Sequence, residues 1–345
     1  MIRVLDQDFT LLNQYIEKTK PSQIFILCDE NTHENCVATL LANLKTETVP
    51  EIIEIEAGEE MKTIETATQL WEILSEFEAD RKSLLLNLGG GVITDMGGFV
   101  ASTYKRGIRF VNIPTTLLAM CDASIGGKTG IDHQFLKNIV GTFALPEGIF
   151  VYPPYLSTLP FEELRSGFAE MLKHGLIADK KHWEDLISIE DLDSKVVAPY
   201  IERSMQIKQS VVDEDFKEQN VRKILNFGHT VGHALESLFL KNNVGIPHGE
   251  AVALGIICET HLAFLEGLID QSTAYEVINH LQRFYPYHSI EAFSDDEILA
   301  LMKNDKKNAS GQISFSLIDR IGNCKYDYKA ENKHIKSALA YYRSL

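Results

Sequence analysis

The first half of the chain alternates short apolar runs with a stretch of helical periodicity, and this alternation constrains the fold most strongly. The runs 22–29, 83–91 and 110–116 are apolar enough for strands buried on both faces, and 51–58 alternates with period 2. Residues 62–80 carry apolar side chains at helical spacing. Strands of this kind alternating with helices predict an α/β unit, a parallel sheet with flanking helices.

The pattern changes near residue 160, and helical periodicity dominates from there on. The chain has 345 residues, more than one hydrophobic core usually serves, so we predict two domains, 1–160 and 161–345. The segment 144–160, with four prolines, is the predicted connection. Two short runs, "ISFSLID" and "NCKYDYK", predict a strand pair before a final helix. The other predicted helices span 161–178, 195–213, 221–240, 248–267, 271–283 and 294–304.

The overall charge argues against polyanionic partners. Lys and Arg number 33 against 49 Asp and Glu, which gives a net charge of −16. Nucleic acids and anionic membranes are bound through clustered cations, so neither is an expected partner. Five scattered cysteines indicate a reducing compartment. The start "MIRVLDQDF" lacks a signal-peptide pattern, and no apolar run is long enough to span a membrane. We therefore expect a cytoplasmic protein.

The segment "LLLNLGGGVITDMGGF" is a candidate nucleotide-binding turn. A strand that runs through glycines into a helix lets backbone N–H groups approach a phosphate at the positive helix end. A tight turn needed only for helix–sheet packing would look the same. Asp29, at the end of an earlier strand, is placed to hold a ribose hydroxyl, and Glu59 and Lys62 follow another strand. Because this acid precedes the glycines, the sequence predicts a variant dinucleotide site.

The segment 113–132, "IPTTLLAMCDASIGGKTGID", is dense in small and hydroxylated residues at a strand end. Thr115 and Thr116 are candidate nucleotide contacts, and Asp122 and Lys128 are candidate contacts to a polar ligand. Its glycines allow close approach of a ligand. A purely structural loop would rarely need so many such residues, so a ligand-binding role is favoured.

Histidines and an acid in the second half form a candidate metal site. In "NFGHTVGHALES", His229 and His233 are four residues apart and share one face of a predicted helix. His248 begins the next helix, and Glu170 and Lys173 lie one turn apart on an earlier one. Three nitrogen or oxygen ligands with an open position are typical of catalytic zinc. The spacing leaves open whether one or both histidines of the pair bind metal, and each histidine could instead be structural.

Basic residues accompany these motifs although the chain as a whole is acidic. Several cations around a metal indicate a phosphorylated or carboxylated small-molecule substrate. The cations are Lys128, Lys137, Lys173, Lys208, Arg222, Lys306 and Lys307.

Taken in order, these motifs resemble the 3-dehydroquinate synthase family across nearly the whole chain. The resemblance rests on "GGGVITDMGGFVAS", "YKRGI", "IPTTLLAMCDASIGGKTGID", "KNIVGTF", "TLP", "GFAEMLKHG", "RKILNFGHTVGHALE", "PHGEAVALG" and "NDKKN". It implies a Rossmann-like NAD-binding α/β domain, a mainly helical metal-binding domain, an active site in the cleft between them, and a homodimer.

The resemblance also implies roles for individual residues. Glu170, His229 and His248 would hold zinc or cobalt, and His233 would transfer protons at the substrate's C5 hydroxyl. Arg106 would reach the substrate phosphate across the dimer interface. Implied cofactor contacts are Asp29, Asn31, Glu59, Lys62, Gly90, Gly91, Val92, Asp95, Thr115, Thr116, Asp122, Lys128, Lys137, Thr158 and Glu163. Implied substrate contacts are Asp122, Lys128, Asn138, Lys173, Lys208, Arg222, Asn226, Lys306 and Lys307.

The implied reaction converts 3-deoxy-D-arabino-heptulosonate 7-phosphate into 3-dehydroquinate and phosphate. NAD would oxidise C5 transiently, phosphate would be eliminated, C5 would be reduced again, and an intramolecular aldol would close the ring. Three alternatives remain. They are another sugar-phosphate cyclase making an aminocyclitol or valiolone precursor, a metal-dependent polyol dehydrogenase that releases NADH, and a non-catalytic regulatory protein that binds metal and nucleotide.

Overall fold

The structure is a computed structural model that describes residues 2–133, 136–304 and 312–345. Contacts between Cα atoms divide the chain into two compact units, Met1–Pro160 and Phe161–Leu345. The first is an α/β unit and the second is mainly helical, as the sequence predicts.

The first unit is built on a six-stranded parallel sheet with the strand order β1-β8-β5-β4-β2-β3. Its strands are β1 (Ile2–Val4), β2 (Ile24–Asp29), β3 (Glu51–Ile55), β4 (Leu84–Gly89), β5 (Arg109–Pro114) and β8 (Gly148–Val151), and a separate antiparallel pair is formed by β6 (Lys128–His133) and β7 (Leu136–Phe143). Its helices are α1 (Thr10–Thr19), α2 (Glu30–Thr32), α3 (Ala38–Asn43), α4 (Ile64–Glu76) and α5 (Gly91–Thr103). β2 and β4 are apolar throughout and almost wholly buried, which explains their central position.

The segment 144–160, predicted to connect the two domains, also contributes a strand to the first unit. Within it, β8 lies in the sheet between β1 and β5, and all four of its residues are buried. The run "GIFV" is too short to stand out beside the prolines that follow it. Its pairing depends on β1 and β5, which sequence pattern alone does not reveal.

The carboxyl ends of four neighbouring parallel strands meet at one edge of the sheet. Asp29 ends β2, Ile55 ends β3, Gly89 ends β4 and Pro114 ends β5. In open α/β sheets this edge is where ligands bind. The loops that follow these strands contain most of the residues predicted to contact the cofactor.

The second unit consists of eight helices within the described residues and one antiparallel strand pair. Its elements are α6 (Phe161–Ala178), α7 (Lys180–Ile187), α8 (Ser194–Glu214), α9 (His229–Lys241), α10 (His248–Leu265), α11 (Gln271–Phe284), α12 (Asp295–Asn304), β9 (Phe315–Arg320), β10 (Asn323–Tyr328) and α13 (Asn332–Arg343). The predicted strand pair and five of the six predicted helices are confirmed. The short α7 has no counterpart in the prediction.

The sixth prediction, one helix over 221–240, is wrong. Val221–Asn226 forms a 3-10 turn, and α9 begins at His229. Gly228 between them has φ 80°, a left-handed conformation that interrupts the helix. Apolar residues at helical spacing in the turn, among them Ile224 and Leu225, account for the misreading.

Glycines let the helices of the second unit pack with their backbones in contact. A Cβ on Gly255 of α10 would overlap the carbonyl oxygen of Gly228. A Cβ on Gly232 of α9 would lie 2.8 Å from the carbonyl oxygen of Ala251. A Cβ on Gly249 would overlap the carbonyl oxygen of Ser166 in α6. Any side chain at these positions would therefore force α10 away from α9 or α6.

All five cysteines are free thiols. Across the described ranges, none of the helices combines the length and the apolar character that a bilayer crossing demands.

We expect Gly255→Ala to lower the free energy of unfolding by about 2 kcal/mol, because the new methyl group meets backbone that cannot move cheaply. Urea denaturation followed by circular dichroism measures the change. Gly245→Ala is the matched control, since a Cβ there meets no atom within 4 Å. Equal stability of the two variants would contradict the role given to glycine packing.

Candidate functional site

The glycine turn joins β4 directly to α5 in the first unit. Gly90 is the N-cap of α5 in an extended conformation, and it supplies no side-chain cap. The backbone N–H of Thr94 donates to the Gly90 carbonyl at 3.1 Å, so the helical hydrogen bonds begin at once. The earlier N–H groups of the first turn have no helical acceptor, and they lie at the positive end of the helix dipole. This geometry suits a phosphate group.

The threonine segment after β5 lies against this turn. The N–H of Thr115 donates to the Gly89 carbonyl at 3.1 Å. A Cβ on Gly90 would lie 3.0 Å from Cγ2 of Thr116, and one on Gly91 would lie 3.4 Å from Cβ of Ala123. Asp122 belongs to the π-helical turn Ala119–Ala123 in the same loop. The structure thus brings these two predicted nucleotide-binding segments together.

A buried lysine anchors the Glu59–Lys62 turn to α5. The Lys62 side chain is 3% exposed, and its Nζ lies 2.7 Å from Oδ2 of Asp95 and 4.0 Å from Oε1 of Glu59. Burial alone would lower the pKa of Lys62, but the Asp95 and Glu59 carboxylates raise it. The lysine therefore stays charged and holds the Glu59–Lys62 turn beside α5.

The remaining residues predicted to contact the cofactor lie at a strand end, in the first turn of a helix or on the surface. Asp29 caps α2, because its Oδ1 accepts from the N–H of Thr32 at 2.8 Å. Asn31 and Thr158 are exposed. Val92 is partly buried and lies in the first turn of α5. Lys128, Lys137 and Asn138 are exposed on the β6–β7 pair, and Glu163 lies in the first turn of α6 in the second unit.

Three elements of the second unit bring the predicted metal ligands together. Glu170 of α6 is fully buried, and its Oε2 forms an ion pair with Nζ of Lys173. Its Oε1 lies 3.4 Å from Nε2 of His229 and 3.8 Å from Nε2 of His248. Ligand atoms bonded to zinc at about 2.0–2.1 Å in a tetrahedron are about 3.4 Å apart. One carboxylate and two imidazoles therefore fit a divalent metal with an open position.

Hydrogen bonds fix which nitrogen each imidazole presents. Nδ1 of His229 lies 3.1 Å from the carbonyl oxygen of Phe227, and Nδ1 of His248 lies 3.3 Å from Oε2 of Glu236. Both partners accept, so Nδ1 carries the proton and Nε2 is free to bind metal. Burial, together with the Lys173 ammonium, lowers the pKa of His229 and favours the neutral ring that a metal needs.

His233 lies close to both proposed histidine ligands. Its ring centroid is 5.0 Å from that of His229 and 5.7 Å from that of His248. One ligand atom from each of the three rings lies within 4.8 Å of the others. These distances fit His233 as a metal ligand, and they equally fit His233 as a residue beside the metal. The sequence leaves the same two roles open.

Three buried cations and an amide predicted to contact the substrate lie in α6, in α8 and in the 3-10 turn Val221–Asn226. Lys173, Lys208 and Arg222 are 1%, 6% and 2% exposed. Lys208 belongs to α8, and Arg222 and Asn226 belong to the 3-10 turn, which packs on both α6 and α8. Lys173 is paired with Glu170, and Nη1 of Arg222 donates to the Phe216 carbonyl at 2.6 Å, so protein groups hold these buried charges in place.

The structure does not bring every predicted residue to these sites. Arg106 is exposed and precedes β5, whereas Thr115 follows that strand. A strand of six residues is about 20 Å long, which places Arg106 at the opposite edge of the sheet. Lys306 and Lys307 lie outside the described residues.

One carboxylate at the metal site was missed by the sequence reasoning. Glu236 falls three residues after His233 and seven after His229, so it continues the same face of α9. That spacing could have identified it as the partner of His248.

Comparison with known proteins gives consistent matches along the chain. The model for the 3-dehydroquinate synthase N-terminal domain matches residues 52–166, and the model for its C-terminal domain matches residues 167–308. A 3-dehydroquinate synthase of Parabacteroides distasonis is 40% identical over 334 residues, which cover 96% of this chain and 94% of that protein.

Solved structures share the fold over the whole chain. A 2-epi-5-epi-valiolone synthase from Streptomyces hygroscopicus with NAD+ and Zn2+ bound has a TM-score of 0.84 at 25% identity, covering 100% of this chain and 96% of that one. A 2-deoxy-scyllo-inosose synthase complexed with carbaglucose-6-phosphate, NAD+ and Co2+ has a TM-score of 0.86 at 24% identity, covering 98% of this chain and 95% of that one.

We predict that His229→Ala and His248→Ala each weaken zinc binding more than about 100-fold, exceeding the loss typical of outer-shell partners. His233→Ala should keep one zinc ion per chain and a nearly unchanged dissociation constant. Chelator competition measures these constants on purified apoprotein. If His233→Ala loses zinc as severely as His229→Ala, His233 is itself a ligand.

Proposed function

The chain belongs to the 3-dehydroquinate synthase family, and from this membership we propose that it converts 3-deoxy-D-arabino-heptulosonate 7-phosphate into 3-dehydroquinate and phosphate. This is a step of the shikimate pathway, which leads to the aromatic amino acids. The observation that carries the proposal is the set Glu170, His229 and His248, with Lys173 directly beside Glu170. A metal set with a cation beside it suits a substrate with adjacent hydroxyls and an anionic group.

The cofactors of the proposed reaction are NAD and a divalent metal, zinc or cobalt. When bound, NAD+ would supply a hydride acceptor for the transient oxidation at C5, and the metal would supply a Lewis acid. Glu170, His229 and His248 would hold the metal. The α5 turn at Gly90 and Gly91 would receive the pyrophosphate, and the other predicted cofactor residues would contact the rest of NAD. The solved relatives with NAD+ and Zn2+ or Co2+ support both assignments.

His233 is the proposed proton-transfer residue. Imidazole accepts and donates protons near neutral pH, and the ring lies about one helical turn from His229 on α9. Lys173, Lys208, Arg222 and Asn226 would bind the anionic and hydroxyl groups of the substrate. Lys173, Lys208 and Arg222 are buried, and burial excludes competing water, which strengthens each interaction with charge.

The main alternative is that the chain is a different sugar-phosphate cyclase, one that makes an aminocyclitol or valiolone precursor. The similarity of the fold to valiolone and inosose synthases supports this alternative. The family models and the relative at 40% identity favour 3-dehydroquinate synthase. Lys173 beside the metal set, with Lys208 and Arg222 in the same unit, also favours a substrate that carries a carboxylate as well as a phosphate.

We further propose that the chain acts as a homodimer in which Arg106 serves the partner's site. Arg106 lies at the amino edge of the parallel sheet, opposite the loops that would hold the cofactor. Exposed apolar side chains lie on and after β7 and are candidates for the interface. They are Ile139, Val140, Phe143 and Leu145.

The activity is tested by mixing the protein with NAD+, zinc or cobalt, and the heptulosonate phosphate. We expect equimolar phosphate and dehydroquinate, with no net NADH absorbance. Release of stoichiometric NADH would indicate a polyol dehydrogenase. Turnover only of a sugar phosphate that lacks the carboxylate would indicate the alternative cyclase.

Lys173→Met should lose most activity, whereas Lys181→Met, a change at an exposed helical lysine, is the matched control.

The role of Arg106 is tested by mixing two inactive variants, Arg106→Ala and His233→Ala, under conditions that exchange subunits. In a mixed dimer, one site would contain both native residues only if Arg106 acts in trans. Random exchange should then restore activity to about a quarter of the sites, since half the dimers are mixed and each has one complete site. No recovery after demonstrated exchange would place Arg106 in its own subunit's site.

A further inference from the structure

Glu259 is a fully buried carboxylate of α10 whose contacts reach the start of α9. Its Oε2 accepts a hydrogen bond from the N–H of Gly228 at 2.6 Å, and its Oε1 accepts one from the N–H of Val231 at 2.9 Å. The two donors bracket His229, the first residue of α9. One side chain therefore accepts hydrogen bonds from the backbone on either side of a proposed metal ligand.

The start of α9 depends on this acceptor. Its N-cap is Gly228, which has no side chain, and no side-chain cap is formed within the segment itself. The first N–H groups of a helix need acceptors, and the positive end of the helix dipole favours a carboxylate. Most N-terminal caps come from the residue that precedes the helix. Here the cap comes from a neighbouring helix, so it also fixes α9 relative to α10.

Burial of the Glu259 carboxylate costs desolvation free energy, so its contacts with the start of α9 need a physical reason. Glu259 lies inside α10, within the apolar segment "AVALGIICET". Two short hydrogen bonds from the helix terminus offset part of the desolvation cost. The acid thus occupies a position where an apolar residue would pack without such a cost.

We propose that Glu259 is a positioning residue for the metal centre. It holds the Gly228–Val231 turn so that Nε2 of His229 faces Oε1 of Glu170 and Nδ1 of His229 reaches the Phe227 carbonyl. In this role the carboxylate fixes the backbone that supplies one of the proposed metal ligands. The inference rests on the proposed function, because it assumes that the three-residue set binds metal.

The test compares Glu259→Gln with Thr260→Val. The glutamine keeps the size of the side chain but removes the charge and turns an NH2 group toward a backbone donor. Thr260 is the next residue of α10; it is fully buried, and its hydroxyl has no hydrogen-bond partner among the described residues. Valine has nearly the same shape as threonine, so this variant controls for any change in the packing of α10.

Zinc affinity and the visible spectrum of the cobalt form are measured on folded protein, with circular dichroism as the check on helicity. We expect Glu259→Gln to bind zinc about tenfold more weakly and to shift the cobalt absorption bands, while Thr260→Val keeps native values. Native affinity and spectrum in Glu259→Gln would overturn the inference, even if its thermal stability were lower, because the acid would then serve the fold alone.

Glu259→Asp provides the second variant if the glutamine variant does not fold. It retains the charge but withdraws the carboxylate by one methylene, so it should bind zinc more weakly than the native chain. Native affinity in this variant would also contradict the positioning role. Failure of the unsubstituted chain to bind zinc would instead overturn the proposed metal site, which keeps the two outcomes distinct.

Discussion

The contact between the backbones of α9 and α10 is the interaction on which the candidate metal site depends. Gly255 meets the Gly228 carbonyl, and a side chain at Gly255 would separate the helices. His229 directly follows Gly228, and His248 begins α10. The distance between these imidazoles is therefore set by main-chain packing, which cannot adjust as a side chain can. Gly249 places α10 equally close to α6, the helix of Glu170.

The α/β unit uses the same physical means at its own candidate site. Small residues let the turn after β4 approach the loop after β5, and Gly90 packs against Thr116. The parallel sheet then brings the ends of neighbouring strands to one edge without any further constraint. In both units, glycine brings chemically useful groups together by removing side-chain volume. The polar residues are added to a backbone arrangement that glycine makes possible.

Local charge differs sharply from the overall charge of the chain. The protein has a net charge of −16, yet Lys62, Lys173, Lys208 and Arg222 are all nearly buried. The net negative charge reduces attraction to polyanions in general, whereas a buried cation interacts strongly with charges close to it, as Lys62 does with Asp95 and Lys173 with Glu170. An acidic protein can therefore contain the buried cations that the proposed anionic substrate requires. The net charge of the whole sequence argues against polyanionic partners but says little about the charges at the candidate site.

The sequence by itself determined the classes of its elements and the chemistry of the candidate residues, because these depend on local periodicity and residue type. It identified the central strands, most helices, and the histidine pair on α9. Only the folded structure shows that β8 lies within the sheet, that α9 begins at His229, and that Glu236 and Glu259 form hydrogen bonds with His248 and with the start of α9. These features depend on contacts between residues distant in sequence, such as Gly228 and Gly255, whose pairing no local pattern encodes.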